Sequence, residues 1–144
     1  MATYKTTAKS SMAPDQTFEY LADFRNAAEW DVNTGSSDLV SGDALTEGAE
    51  YRVVTEFAGR DLTMTYRTAE LQRPGRIVFE SGTAVADIED VISISPDGSG
   101  SEVTYEARIK PKTIAIIFDP VFSLIFKRVG DRAAQSLREA LAAK

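Results

Sequence analysis

The sequence contains neither cysteine nor histidine. Without cysteine there are no disulfides, thiolate nucleophiles, iron–sulfur clusters or cysteine-ligated zinc sites. Without histidine there is no Ser-His-Asp triad, no imidazole general base and no ligand of the type that transition metals use most. Any acid–base chemistry must therefore come from Asp, Glu, Tyr, Lys or Arg, and we expect no cofactor and no metal site.

Positive charge is in the minority. Sixteen Lys and Arg residues against 22 Asp and Glu residues give a formal net charge of −6 at pH 7. Proteins that bind nucleic acid carry a clustered cationic surface, and the sequence contains no basic arm of that kind. Nucleic acid is therefore not an expected partner.

Long hydrophobic runs are also missing. The longest apolar stretch, Ile114–Phe126, is interrupted by Asp119, Pro120 and Ser123 and is shorter than a membrane-spanning helix requires. The amino-terminal segment Met1–Met12 is polar and lacks the apolar core of a secretory signal. We therefore expect no membrane span and a cytoplasmic location.

Length and composition fit one globular domain. The chain has 144 residues, of which 43% are hydrophobic and 26% are charged. A domain of this length buries roughly two-thirds of the surface of its unfolded chain. It therefore needs no covalent or metal cross-link and has room for a small cavity. We interpret residues 1–144 as a single domain and expect a monomer or weak homodimer.

Alternation of apolar and polar side chains predicts strands over most of the chain. Between the strands lie turn sequences such as Gly59-Arg60-Asp61 and Arg73-Pro74-Gly75, and Pro96–Gly100 is typical of a loop. The predicted strands are Thr3–Lys9, Ser37–Ser41, Glu50–Ala58, Leu62–Leu71, Ile77–Ser81, Ala84–Ser95 and Glu102–Lys110.

Two regions carry helical signals. Ala13-Pro14-Asp15 is typical of a helix start, and a second short helix or turn is predicted through Asp23–Trp30. Apolar residues then recur every three or four positions from Phe118 to Leu141, which predicts a long amphipathic helix. The predicted fold is α+β: a curved antiparallel sheet of about seven strands wrapped around this C-terminal helix, with two short helices after strand 1. This arrangement is called helix-grip.

The same segments resemble a known superfamily. Ala13-Pro14-Asp15 followed by Glu29-Trp30-Asp31 resembles the START-like (SRPBCC) superfamily, and within it the polyketide cyclase/dehydrase and lipid-transport branch. The resemblance covers nearly the whole chain and rests on structural motifs. It implies a hydrophobic ligand held in a cavity between the curved sheet and the last helix, whereas the His of certain enzymatic members is missing here. Further matching segments are Gly48–Arg52, Arg73–Arg76, Asp90–Ile92, Asp97–Gly100 and Phe118–Phe122.

Inward-facing aromatic and apolar side chains are the candidate ligand contacts. In a sheet that curls around a cavity, core packing and ligand contact involve the same side chains, and both interpretations stay open. We expect a pocket of roughly 300–1,000 Å³ that is mostly apolar with a few polar groups. The predicted ligand-binding residues are Trp30, Phe57, Met64, Tyr66, Phe79, Asp90, Ile92, Tyr105, Phe118 and Phe122.

Asp90 is the acid of most interest. Its strand parity matches that of Ile88, Ile92 and Ile94, which points it inward, where burial raises the pKa of an unpaired carboxyl. One interpretation is a cavity acid that binds or protonates a ligand. The alternatives are a salt-bridged structural acid, or a one-residue bulge that turns the side chain outward.

Two classes of function are compatible with these residues. The leading hypothesis is non-catalytic binding, or transport, of a small hydrophobic molecule such as a lipid, an isoprenoid or a polyketide-like aromatic. The competing hypothesis is a polyketide cyclase or dehydratase in which Asp90 acts with Tyr66 or Tyr105. A protein-interaction module with a filled core is a third. The apolar segment Ile114–Phe126 is a gate, an interface or part of the core.

Overall fold

The computed structural model describes residues 2–57, 59–84, 86–112 and 120–144. These residues form a sheet and three helices, with a short 3₁₀ turn at Phe24–Asn26 before the second helix. The helices are α1 (Pro14–Ala22), α2 (Ala27–Trp30) and α3 (Pro120–Ala142). The strands are β1 (Ala2–Ser10), β2 (Thr34–Ser41), β3 (Glu50–Phe57), β4 (Arg60–Gln72), β5 (Arg76–Gly82), β6 (Ala86–Asp97) and β7 (Gly100–Pro111).

The strands form one antiparallel sheet in the order β1-β7-β6-β5-β4-β3-β2. Apart from β1, strands that follow each other along the chain are neighbours, as expected when short hairpins connect them. Register shifts interrupt the pairing of β2 with β3 and of β4 with β5, and such bulges bend a sheet. The predicted α+β helix-grip fold is confirmed: the curved sheet carries the C-terminal helix, with short helices after β1.

The β6–β7 hairpin is tighter than the sequence indicates. We predicted a loop over Pro96–Gly100, but both strands continue into it, and Asp97 pairs with Gly100. Only Gly98 and Ser99 remain in the turn, with Gly98 at a φ of 60°. Two-residue hairpins favour positive φ, which glycine adopts without steric cost. The loop prediction was therefore wrong because one glycine completes the turn.

Helix α3 is held against the edge strand β1 along its length. The Tyr4 hydroxyl donates a 2.6 Å hydrogen bond to Oδ1 of Asp131, and Nη2 of Arg138 donates to Oγ1 of Thr6 at 2.7 Å. Leu137 and Leu141 are fully buried in the core, as the predicted apolar stripe requires. No helix in the described ranges is long and apolar enough to cross a membrane.

The close approach of α3 to β1 requires glycine at position 130. A Cβ atom there would lie 2.5 Å from Cδ2 and 2.7 Å from Cγ of Tyr4. The Tyr4 ring cannot simply swing aside, because its hydroxyl binds Asp131 and its ring packs edge-on against Phe126. Tight contact with a ring therefore outweighs the gain of about 1 kcal/mol that alanine brings to a helix interior.

We expect Gly130→Ala to lower the free energy of unfolding by about 1–2 kcal/mol, because overpacking typically costs about 1–3 kcal/mol and the helix propensity of alanine offsets up to about 1 kcal/mol of this. Urea denaturation measures the change. The matched control is the same substitution in a Tyr4→Ala background, where the obstacle is gone and helix propensity makes alanine neutral or stabilising. Equal destabilisation in both backgrounds would contradict the proposed contact.

Candidate functional site

A cavity of about 120 Å³ lies between the sheet and helix α3. Strands β3, β4, β6 and β7 provide one side, and the other is formed by α3 and by the chain that follows α2. The lining residues are Tyr4, Phe24, Trp30, Asp31, Asn33, Thr34, Val53, Thr55, Phe57, Met64, Tyr66, Ile88, Asp90, Tyr105, Ala107, Ile109, Phe126, Val129, Gly130 and Ala133. The cavity is mostly apolar, but its volume is below the range that we predicted.

The cavity is small because Phe24 fills the space beside it. This side chain comes from the 3₁₀ turn, and its ring centroid lies 4.2 Å from that of Phe79 and 5.0 Å from that of Tyr66. Tyr51 and Trp30 complete the cluster, at 5.9 and 6.3 Å from Phe24. A dry cavity of about 150 Å³ admits benzene. The remaining space therefore matches a group of about the size of one aromatic ring.

Asp90 points into this cavity. The pairing of β6 with β5 and with β7 runs without a register shift past Asp90, so no bulge turns the side chain outward. No Lys or Arg in the described part of the chain forms an ion pair with it, whereas its neighbour Glu89 forms a 2.9 Å ion pair with Arg108. The two alternatives, a salt-bridged structural acid and a bulge that turns the side chain outward, therefore do not agree with this geometry.

Burial raises the pKa of Asp90 to about 7. The Tyr105 hydroxyl hydrogen-bonds to the carboxylate and lowers the pKa, while the negative charges of Asp31 and Glu89 raise it further. Burial also raises the pKa values of Tyr66 and Tyr105 well above the ordinary range. Both tyrosines are therefore hydroxyl donors near neutral pH, and Asp90 is close to the midpoint of its titration.

A second cavity acid, Asp31, was not predicted. It directly follows α2. Its carboxylate accepts a 2.9 Å hydrogen bond from the backbone N–H of Asn33 and a 3.2 Å hydrogen bond from the Thr34 hydroxyl. Burial raises its pKa, against the lowering effect of these bonds and of the charge of Arg132. Asp31 belongs to the Glu29-Trp30-Asp31 motif, but no periodicity at a helix end tells which way the side chain points.

Two further polar atoms in the wall lack hydrogen-bond partners among the described residues. They are Nε1 of Trp30, a donor, and Oδ1 of Asn33, an acceptor. Asn33 uses its Nδ2 group to donate to the Val129 carbonyl at 2.9 Å, which fixes the amide orientation and leaves Oδ1 free. Buried polar groups normally find partners, so a ligand with both an acceptor and a donor would satisfy this wall.

Comparison with known proteins identifies the family. Residues 1–143 match the model of the family described as polyketide cyclase/dehydrase and lipid transport. The chain belongs to this family. No protein of curated function matches it by sequence.

Several solved structures with the same fold superpose on nearly the whole chain. A START superfamily protein from Mycobacterium smegmatis has a TM-score of 0.78 at 12% identity, covering 98% of this chain and 97% of that one. The Zhui aromatase/cyclase from Streptomyces sp. R1128 has a TM-score of 0.78 at 14% identity, covering 99% and 92%. TTHA0849 from Thermus thermophilus has 0.78 at 13%, covering 99% and 98%. At such identities the likeness shows the fold alone.

The structure brings most of the predicted ligand-binding residues of this family member to one place. Phe79 and Ile92 do not line the cavity, since both are buried in the filled part of the core beside it. Phe118 lies outside the described residues, as does the side chain of Phe122. The predicted residues that line the cavity are Trp30, Phe57, Met64, Tyr66, Asp90 and Tyr105.

The apolar segment Ile114–Phe126 is described only from residue 120 onward. In that part Phe126 lines the cavity, whereas Val121 and Leu124 are exposed. Phe126 therefore belongs to the wall of the candidate site.

Proposed function

We propose that this protein binds a small hydrophobic molecule, such as a lipid, an isoprenoid or a polyketide-like aromatic, and holds one ring-sized part of it in the cavity. The observation that carries the proposal is the cavity itself: aromatic walls enclose a few convergent polar groups, the pattern of small-molecule sites. Its family, polyketide cyclase/dehydrase and lipid transport, supports the same class of ligand.

Asp90 is the polar anchor in this proposal. A protonated carboxyl donates to a ligand carbonyl, and the ionised form accepts from a ligand hydroxyl. With its pKa raised to about 7, either form is accessible at little cost near neutral pH. Trp30, whose buried Nε1 donor has no partner among the described residues, lines the same cavity.

The cavity alone supports only weak binding. Fully burying a ring of phenylalanine size contributes about 1.5–3 kcal/mol, whereas micromolar affinity requires about 8 kcal/mol. A physiological ligand must therefore also use the polar groups and make contacts beyond the cavity.

We expect toluene to bind the wild-type protein saturably and Ala133→Phe to bind it at least roughly tenfold more weakly, because the new ring occupies the cavity. Trp30 is the only tryptophan, so its single indole N–H signal reports on the cavity by NMR. Ala142→Phe places the same ring on an exposed part of the same helix and should bind as the wild type does. No saturable shift in the wild-type protein would refute the proposal.

Acid–base catalysis is the second candidate, and the two cavity carboxyls favour it. Asp31 and Asp90 both have raised pKa values, and the charge of Asp31 contributes to the shift of Asp90. Acidic side chains with strongly shifted pKa values are common in active sites. Asp90→Asn separates the two functions. A binding protein should keep its affinity within a few-fold, whereas a cyclase or dehydratase acting on a poly-carbonyl substrate should lose kcat with little change in binding.

A further inference from the structure

A groove of about 230 Å³ opens beside the cavity, between helix α3 and the β3–β4 hairpin. It shares two lining residues, Asn33 and Val129, with the cavity. Its other lining residues are Glu56, Gly59, Ile125, Arg128 and Arg132. The 2.9 Å hydrogen bond from Asn33 Nδ2 to the Val129 carbonyl lies at the boundary between the two spaces, so the groove is the space nearest to the cavity for the rest of a ligand whose ring fills it.

Two arginines of helix α3, Arg128 and Arg132, line the groove. Arg128 and Arg132 are four residues apart on α3 and both are exposed. Like charges at this spacing repel each other across one helix turn. Glu56 of β3 lines the same groove, and the charge of Arg132 also acts on Asp31, yet no ion pair within the described ranges includes Arg128, Arg132 or Glu56.

We infer that the ligand is amphipathic, with an apolar ring or chain end in the cavity and a carboxylate in the groove between Arg128 and Arg132. The inference rests on the proposed function and specifies its ligand class. An arginine pair relieves its own repulsion by holding a carboxylate, which each guanidinium binds with charge-assisted hydrogen bonds. Asn33, whose Oδ1 has no partner among the described residues, lines both spaces, and a ligand that spans them must displace its hydrogen bond to Val129.

The test compares two probes of one shape, 5-phenylpentanoate and 5-phenylpentanamide, which differ in the charge of the head group. The Trp30 indole N–H signal gives the dissociation constant of each by NMR titration. We expect the wild-type protein to bind the carboxylate about tenfold more tightly than the amide at low salt, since two exposed ion pairs that contribute about threefold each give a factor of this size. The preference should shrink at about 0.5 M salt, because surface charges are then screened.

The variant Arg128→Gln/Arg132→Gln should bind the carboxylate as weakly as the amide, with the affinity for the amide unchanged. Lys127→Gln is the matched control, because Lys127 is an exposed cation on the same helix that does not line the groove. It should keep the preference. Equal binding of the two probes by the wild-type protein overturns this inference but leaves the proposed function standing. Binding of neither probe overturns both.

Discussion

Replacing Asp90 by asparagine is expected to raise the free energy of unfolding at pH 8 by about 4 kcal/mol, and to change it little at pH 4. Burial raises the pKa of Asp90 from an ordinary value of 3.8 to about 7 in the folded protein. A shift of about three units corresponds to about 4 kcal/mol. Above pH 7 the wild-type protein holds an unpaired charge in its interior, and an asparagine does not.

The direction of this pH dependence follows from how many protons the folded and unfolded states bind. Between pH 4 and pH 7 the folded state holds a proton on Asp90 that the unfolded chain has lost, so the stability of the wild-type protein falls as the pH rises. This contribution is fully present below about pH 4 and is lost once the pH passes about 7. The raised pKa of Asp31 acts in the same direction. Asp31 is present in both proteins, so only its repulsion with the Asp90 carboxylate contributes to the difference between them.

Urea denaturation of both proteins from pH 4 to pH 8 measures this difference. Asp87→Asn is the control, because Asp87 is an exposed acid on the same strand. It should follow the wild-type profile, apart from a small effect of its 3.7 Å surface ion pair with Lys112. A difference between wild type and Asp90→Asn that stays constant with pH would show that Asp90 ionises as an exposed acid does.

A charge that costs this much at neutral pH indicates a role other than stability. Polar groups that destabilise the folded state are typical of sites where a ligand or substrate pairs with them. A ligand hydroxyl that donates to the ionised carboxylate, or a carbonyl that accepts from the protonated form, offsets the cost. The binding and catalytic proposals both use this property, and they differ in whether replacing Asp90 also lowers kcat.

Alternation alone was enough to place several site residues. Tyr66, Asp90 and Tyr105 lie on three different strands, and the period of two residues puts each on the inward face of the sheet. The same rule selected Phe79, which is fully buried but packs against Phe24 instead of lining the cavity. Parity predicts which face a side chain occupies, but it does not predict where the sheet and the helix separate along that face.

The residues that set the size and polarity of the cavity could not be predicted in this way. Phe24 belongs to a 3₁₀ turn and Asp31 follows a four-residue helix, and segments this short have no periodicity to analyse. Their directions depend on how the turn packs against β3, β4 and β5, which is a property of the tertiary structure. The sequence therefore predicts the fold and the strand side of the cavity, and leaves its closing side open.

The role of Phe24 can be tested directly. We expect Phe24→Ala to lower the free energy of unfolding by about 3–5 kcal/mol, the usual cost of removing a buried phenylalanine ring. The four rings around Phe24 lie 4.2 to 6.3 Å away, and they cannot all close over the space that the ring leaves. The cavity should therefore grow and admit naphthalene, which is too large for the wild-type volume of about 120 Å³.

Phe18→Ala is the matched control for this enlargement. Phe18 is as buried as Phe24 and belongs to the same core, but it does not line the cavity. Both variants should lose similar stability in urea denaturation, whereas only Phe24→Ala should gain saturable naphthalene binding at the Trp30 indole signal. Phe24→Leu, which keeps more of the packing, should fall between wild type and Phe24→Ala in both measurements. Equal naphthalene binding by the wild type and Phe24→Ala would contradict this role of Phe24. It would mean that a group other than the Phe24 ring limits the volume of the cavity.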